Sequence, residues 1–179
     1  MDILVTGGAG FIGSHLVEAL VNRNYKVIVL DNLSSGYKQN LSGILDDDKL
    51  KFLIGDCRHP ENVREALEGV DVVFHFAANP EVRLEIADPR KCYEQNIEAT
   101  YILLEEIRKS EVESIVFASS STVYGDATTI PTPENYGPLK PISVYGASKL
   151  ACEALVSSYC YSFKKRGVII RPANIVGPR

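Results

Sequence analysis

Six short runs of almost unbroken Val, Ile, Leu and Phe recur along the chain, and segments of a different period separate them. The runs are ILVT (3–6), KVIVLD (26–31), LKFLIGD (50–56), VDVVFHFAA (70–78), SIVFASSS (114–121) and VIIRP (168–172). A strand with one wet face alternates apolar and polar side chains, so runs that do not alternate belong to strands covered on both faces. The intervening segments predict helices near 11–23, 61–68, 89–109 and 143–165. In the first, Phe11, Ile12, Leu16, Val17, Leu20 and Val21 share one helical face. Strands alternating with helices fold as a parallel sheet with right-handed crossovers. The expected class is therefore α/β: a Rossmann-type, doubly wound parallel sheet of about six strands with helices on both faces. The 179 residues suit one domain.

Composition excludes several classes of function. The net charge is −4 with no basic stripe, so nucleic acid is not an expected partner. The apolar runs are too short to span a bilayer, and Met1 leads straight into the first run, leaving no room for a signal peptide. Cys57, Cys92, Cys152 and Cys160 form no CxxC pair and no zinc spacing, which reads as reduced thiols of a cytoplasmic protein. His15, His59 and His75 lie far apart, so no metal site is expected, and His75, inside a strand, reads as structural. Two stretches look irregular: 32–49, expected as a solvated loop, and 125–141, with four prolines and the length that binding loops take.

TGGAGFIG stands between the first strand and the first helix. Gly7, Gly10 and Gly13 suit a tight turn, close approach to a pyrophosphate and helix–strand packing. The helix start at Phe11 and Ile12 offers free N–H groups to phosphate. Asp31 ends the second run, 18 residues beyond Gly13 (31 − 13), near the usual offset for a ribose-binding acid. Its carboxylate would repel a 2′-phosphate, and no arginine follows closely, so NAD is expected rather than NADP. Strand C-termini face the crevice of such a sheet. That rim holds Asp56 and Cys57, then Phe76, Ala77 and Ala78, then Ser119–Ser121. Asp56 reads equally as a cap of the turn before Pro60, and Phe76 with its alanines as plain core.

Tyr-x-x-x-Lys occurs at 136/140, 145/149 and 161/165. Gly137 and Pro138 interrupt the first, and the third lies at the far end of its helix. Tyr145 and Lys149 sit at a helix start, four apart and therefore on one face. A phenol titrates near about 10, so a base near pH 7 needs a shift of roughly three units, about 4 kcal/mol. A lysine charge at ~6 Å and an effective dielectric of ~20 supplies roughly 3 kcal/mol. The positive ring of NAD⁺ would add the remainder, so Lys149 is expected to lower the Tyr145 pKa.

VTGGAGFIGSH, DNLSSG, GD at 55–56, HFAA, ASSSTVYGD, YGASK and RPANIVGPR together resemble the NAD-dependent epimerase/dehydratase family, the extended short-chain dehydrogenase/reductases, and within it the UDP-hexose 4-epimerases. The likeness covers essentially the whole chain. It implies Asp31, Asn32, Ser35 and Gly36 around the adenine ribose, Asp56 and the Cys57 backbone at the adenine, and Phe76, Ala77 and Ala78 along the pyrophosphate and nicotinamide side. Asn96 in EQNIEAT matches the family's helical asparagine of the cofactor site, and Ala173 would approach the nicotinamide. Ser120, Tyr145 and Lys149 would be catalytic, with Ser119 or Ser121 replacing Ser120 if the strand register slips. Ser120, Tyr145 and Asn174 would meet the sugar nucleotide. The family's 4,6-dehydratases carry an Asp-Glu pair where Ser121 and Thr122 stand here, so elimination is disfavoured.

The activity so implied is epimerisation at C4 of a UDP-hexose through transient hydride transfer to NAD. The other readings are a different NAD-dependent nucleotide-sugar epimerase or reductase, or a non-catalytic NAD-binding module. The last arises because the family's C-terminal substrate domain is expected to be absent from residues 1–179. Relatives also pair through two long helices, here near 89–109 and 143–165. Tyr93, Ile97, Tyr101, Leu104, Leu155, Tyr159 and Phe163 either supply such a homodimer face or pack onto the sheet.

Overall fold

The computed structural model describes residues 1–83 and 88–178; Arg179, which closes the RPANIVGPR motif, lies outside the described residues. The strands are β1 (Asp2–Thr6), β2 (Lys26–Asp31), β3 (Leu50–Ile54), β4 (Val72–His75), β5 (Ser114–Ala118) and β6 (Arg166–Ile170). They form one sheet in the order β3-β2-β1-β4-β5-β6, with every neighbouring pair parallel. The helices are α1 (Phe11–Val21), α2 (Pro60–Ala66), α3 (Pro89–Cys92), α4 (Ala99–Lys109) and α5 (Val144–Ser162), with a π-helical stretch, Tyr93–Glu98, joining α3 to α4. This is the doubly wound order, in which the chain reverses direction between β1 and β4 and leaves a crevice at their C-terminal ends.

Two strands end where their partners end. β4 stops at His75 because its β1 partner, Thr6, is the last residue before the glycine turn; Phe76–Ala78 then leave the ladder. β6 begins two residues earlier than its sequence suggests. Arg166 and Gly167 pair with Ser114 and Ile115 of β5, and Pro172, without an N–H, lies beyond the strand.

Alternation along the strands builds two cores. Leu4, Leu30, Val73, Ile115 and Phe117 face α2, α4 and α5 and pack with Val63, Leu103, Ile107 and Val156. Ile3, Val5, Val27 and Val29 face α1 and pack with Val17, Leu20 and Val21. Leu41 joins this second core from a short 3₁₀ turn, Lys38–Leu41, so the 32–49 stretch is not wholly solvated. Coverage on both faces fails at the two edge strands: Ile54 of β3 is 68% exposed, and in β6 Val168 is 53% and Ile170 37% exposed. The described part of the chain has no helix over the β6 pair. No helix among the described residues is long and apolar enough to cross a membrane, and no His/Cys/Asp/Glu group there suits a metal.

His75 is fully buried and carries a complete relay. The Thr100 hydroxyl donates to the Asn96 carbonyl (2.6 Å), so it accepts from His75 Nε2 (3.0 Å). Thr6 Oγ accepts from Ala77 N–H (3.3 Å) and donates to His75 Nδ1 (2.7 Å). The ring is thus a neutral strut between β1, β4 and α4, as the sequence suggested. Burial, with the Lys149 charge second, pushes its pKa down to about 3. Below the ordinary value of 6.5 the unfolded chain takes up a proton that the folded chain refuses, so this contribution is full above 6.5 and fades as pH falls toward 3. Urea midpoints are expected to rise from pH 4.5 to 7, by up to about 1.4 kcal/mol per pH unit for this one group. His75→Gln is expected to flatten that slope while lowering stability at pH 7.

Candidate active site

The first turn after β1 is made by backbone contact. Gly7 has φ +69°, and a Cβ there would lie 2.7 Å from the Ala77 nitrogen. A Cβ at Gly13 would collide with the Gly7 carbonyl oxygen. The first helical bond runs from Ser14 N–H to Gly10 O (2.9 Å), so the amides of Phe11, Ile12 and Gly13 precede it and face outward from the helix start. Asp31, buried at the end of β2, accepts from Ala9 N–H (2.9 Å) and Leu33 N–H (2.8 Å). The carboxylate therefore ties the glycine turn to the loop after β2.

These parts open onto a cleft of about 680 Å³, within the range of small-molecule sites. Its walls take Gly7, Gly10, Phe11, Ile12 and Gly13 from the turn, Asp31, Asn32, Ser35 and Gly36 after β2, and Asp56 and Cys57 after β3. Phe76, Ala77 and Ala78 follow β4, Ser119–Thr122 follow β5, and Ala173 and Asn174 follow β6. Tyr145 and Lys149 close the wall from α5. Cys57 contributes no thiolate: burial pushes its thiol up to about 12.

The start of α5 fixes the tyrosine. Ser143 caps the helix, its hydroxyl accepting from Gly146 N–H (3.0 Å). A Cβ at Gly146 would be 2.9 Å from the Thr122 carbonyl oxygen, so glycine lets the helix lie against the 3₁₀ turn Ser121–Tyr124. Of the three serines, Ser119 is spent on Glu153 Oε1 (2.5 Å), whereas Ser120, which accepts from Thr122 N–H (3.2 Å) and Thr122 Oγ1 (3.0 Å), is the one whose hydroxyl favours ionisation of the Tyr145 phenol. Lys149 is 3% exposed; its Nζ donates to the Ala118 carbonyl (2.8 Å) and stands 5.8 Å from the Tyr145 ring centre.

The charge balance differs from the expectation that Lys149 lowers the Tyr145 pKa. Burial pushes the phenol above its usual value, outweighing the Ser120 hydrogen bond. Burial also pulls Lys149 down to about 8. A lysine pulled down to about 8 gives no help to a phenol that burial has pushed above its ordinary value, despite the short distance. A phenolate here needs a further positive charge.

Asn96 does not line the cleft. It is 1% exposed, accepts from Asn79 N–H (2.6 Å) and donates to Ser148 Oγ (2.8 Å), which donates to the Tyr145 carbonyl (2.7 Å). The π stretch adds a residue to the turn, so the neighbouring Gln95 reaches the wall and Asn96 turns inward. Helical spacing alone does not reveal that shift. Also missed was Arg171, which forks onto Glu153 (2.8 and 2.7 Å) and reaches Tyr124 OH (3.0 Å). Glu153 follows Lys149 by four residues, and an acid on that face was its available signal.

Parallel order, glycine turn and acid at the end of β2 define a dinucleotide-binding Rossmann protein, and the cleft, floored by backbone that tolerates no Cβ, fits such a ligand. The chain belongs to the NAD-dependent epimerase/dehydratase family, whose sequence pattern matches residues 3–179. A putative UDP-glucose 4-epimerase of Methanocaldococcus jannaschii is 40% identical over 179 residues, 99% of this chain and 57% of that protein. A crystal structure of a UDP-galactose 4-epimerase superposes with a TM-score of 0.88 at 49% identity, covering 100% of this chain and 58% of that one. The UDP-glucose 4-epimerase of Thermus thermophilus, in complex with NAD, gives a TM-score of 0.90 at 39% identity, covering 100% of this chain and 57% of that one. The chain thus spans just over half the length of these relatives.

Gly13→Ala is expected to cost about 1–3 kcal/mol in urea melts, because the obstacle is backbone. Gly43→Ala, where a Cβ meets nothing within 4 Å, is expected to change stability by less than about 0.5 kcal/mol.

Proposed function

We propose that this chain carries the NAD site and the reacting side chains of a UDP-hexose 4-epimerase. The observation behind the reading is that Ser120, Tyr145 and Lys149 stand on the wall of the cleft that the glycine turn and Asp31 begin. Phe11, Ile12 and Gly13 would present amides to the pyrophosphate, Asp31 would hold the adenosine ribose, and Asp56 would face the adenine. Ala173 would lie by the nicotinamide. Bound NAD⁺ would supply the hydride acceptor and the positive charge that the phenol lacks.

The remaining work falls to side chains. Tyr145 takes the proton of the sugar 4-hydroxyl, Ser120 hydrogen-bonds the reacting oxygen, and Lys149 holds the nicotinamide ribose, its own charge being available below about pH 8. Asn174 would contact the sugar nucleotide. The 4-keto sugar would then turn over, so that the hydride returned to C4 arrives on the other face while Tyr145 gives its proton back to O4, which inverts C4. Elimination is disfavoured because the described carboxylates on the cleft wall, Asp31 and Asp56, are far along the sheet, after β2 and β3. Four free buried thiols suit a cytoplasmic setting.

A second reading is an NAD-binding module without turnover, favoured by the burial that holds the Tyr145 phenol above its usual pKa and pulls Lys149 down to about 8. NAD titration beside a coupled assay with UDP-galactose, UDP-glucose and a panel of other nucleotide sugars separates the readings. Interconversion of UDP-glucose and UDP-galactose supports the 4-epimerase, turnover of another sugar redirects the substrate, and binding without turnover supports the module. Tyr145→Phe is expected to keep NAD affinity within about twofold and to lose at least 10²-fold in turnover; undiminished turnover would remove Tyr145 from its role.

The same reading extends to pairing of two copies. Tyr93, Tyr101 and Phe163 are exposed on α3–α4 and just past α5, whereas Leu104 packs into the core and leaves the expected face. Sedimentation is expected to give twice the chain mass, and Tyr101→Glu to shift it to the monomer; a monomeric unaltered chain would end the proposal.

A further inference from the structure

The Asp56 carboxylate is held from four directions. Oδ1 accepts from the backbone N–H of Arg58 (2.9 Å) and from its Nε (3.1 Å). Oδ2 accepts from Arg58 Nη2 (2.8 Å) and from Asn32 Nδ2 (2.9 Å). A carboxylate offers about four acceptor sites, so none remains. Three of the four belong to Arg58, which stands behind Asp56: Asp56 and Asn32 line the cleft and Arg58 does not. Arg58 is anchored in turn by Glu94 (3.5 Å), which pairs with Arg90. Despite the cost of burial, these donors hold Asp56 ionised, its pKa down at about 2.

The fourth site is of another kind. Asn32 is exposed, and its side chain is steadied by accepting from Ser34 N–H (3.0 Å). Its amide presents an N–H₂ donor, the donor type of the 6-amino group of adenine. An aminopurine entering the cleft can replace it on Asp56 with one charge-assisted hydrogen bond exchanged for another. A 6-oxopurine would set oxygen against oxygen and leave the carboxylate repelled.

We propose that Arg58 is a positioning residue for base recognition: by occupying three acceptor sites of Asp56 it leaves one replaceable site on the cleft side, and that site selects a 6-aminopurine over a 6-oxopurine. The inference rests on the reading of this cleft as an NAD site with Asp56 at the adenine. It adds that the selectivity resides in a side chain outside the cleft wall. Lysine cannot substitute, since a point charge has no fork to hold both oxygens.

The test is calorimetric titration of the unaltered chain, Arg58→Met and Arg58→Lys with NAD and with nicotinamide hypoxanthine dinucleotide, which carries a 6-oxo group and an N1–H in place of the 6-amino group and bare N1 of adenine. The unaltered chain is expected to prefer NAD by about tenfold or more, the value of a hydrogen bond to a charged group. Arg58→Met is expected to bring the preference within about threefold, chiefly by weakening NAD, and Arg58→Lys to fall between. Melting curves check that each variant is folded, and the milder lysine variant decides the matter if the methionine variant is not. An unchanged preference in the folded variants, or an equal loss for both dinucleotides, would show that Arg58 merely supports its turn and would overturn the inference alone. Failure of the unaltered chain to bind NAD would overturn the cofactor reading and the inference with it.

Discussion

Three stretches of backbone meet at Gly7, and the site depends on that meeting. The end of β1, the start of α1 and the chain leaving β4 approach so closely that a single methyl group at residue 7 or 13 would force them apart. Because the sheet reverses direction between β1 and β4, the same point is where the crevice opens. The amides of the first helical turn therefore arrive at the crevice floor with no side chain in the way. Asp31 secures the arrangement from the other side by accepting from Ala9 N–H. Side chains from every strand end then line a wall whose position this turn has set.

Burial is the second governing influence, and it acts against charge. It raises the Tyr145 phenol, lowers Lys149 to about 8 and lowers His75 to about 3. Each of the three is held nearer to neutrality than it would be in water. His75 stays neutral as a strut between two threonines. Tyr145 and Lys149 are poised differently, because a bound cation beside the phenol would reverse the balance. On the proposed reading, a base that forms only when its oxidant is bound avoids carrying a buried phenolate at other times. The end of the cleft proposed for adenosine has the opposite character: Asp56 is kept ionised by an arginine fork, and its charge does not wait for a ligand.

Much of this was legible along the chain. Uninterrupted apolar runs identify doubly covered strands because water on either face would demand alternation, and the four inner strands, β2, β1, β4 and β5, obey that rule, whereas β3 at one edge leaves Ile54 exposed. β6 does not obey it either, since its exposed valine and isoleucine depend on what lies over them and not on their own pattern. The glycine spacing and Asp31 were legible because their constraints are local: a turn, a helix start and a strand end within about thirty residues. Tyr145 and Lys149 were legible as a pair because four residues make one helical turn.

What the sequence determined by itself is the set of interactions between residues close in the chain: strands, helices, the glycine turn, the capped start of α5 and the candidate base with its lysine. Tertiary structure decided which of three adjacent serines meets the phenol, since Ser119 is drawn to Glu153, 34 residues away. It decided that Gln95 and not Asn96 reaches the cleft, through one π turn. It also decided the sign of the Tyr145 shift, because desolvation depends on everything packed around a group, whereas the spacing of two residues reports only their mutual Coulomb energy.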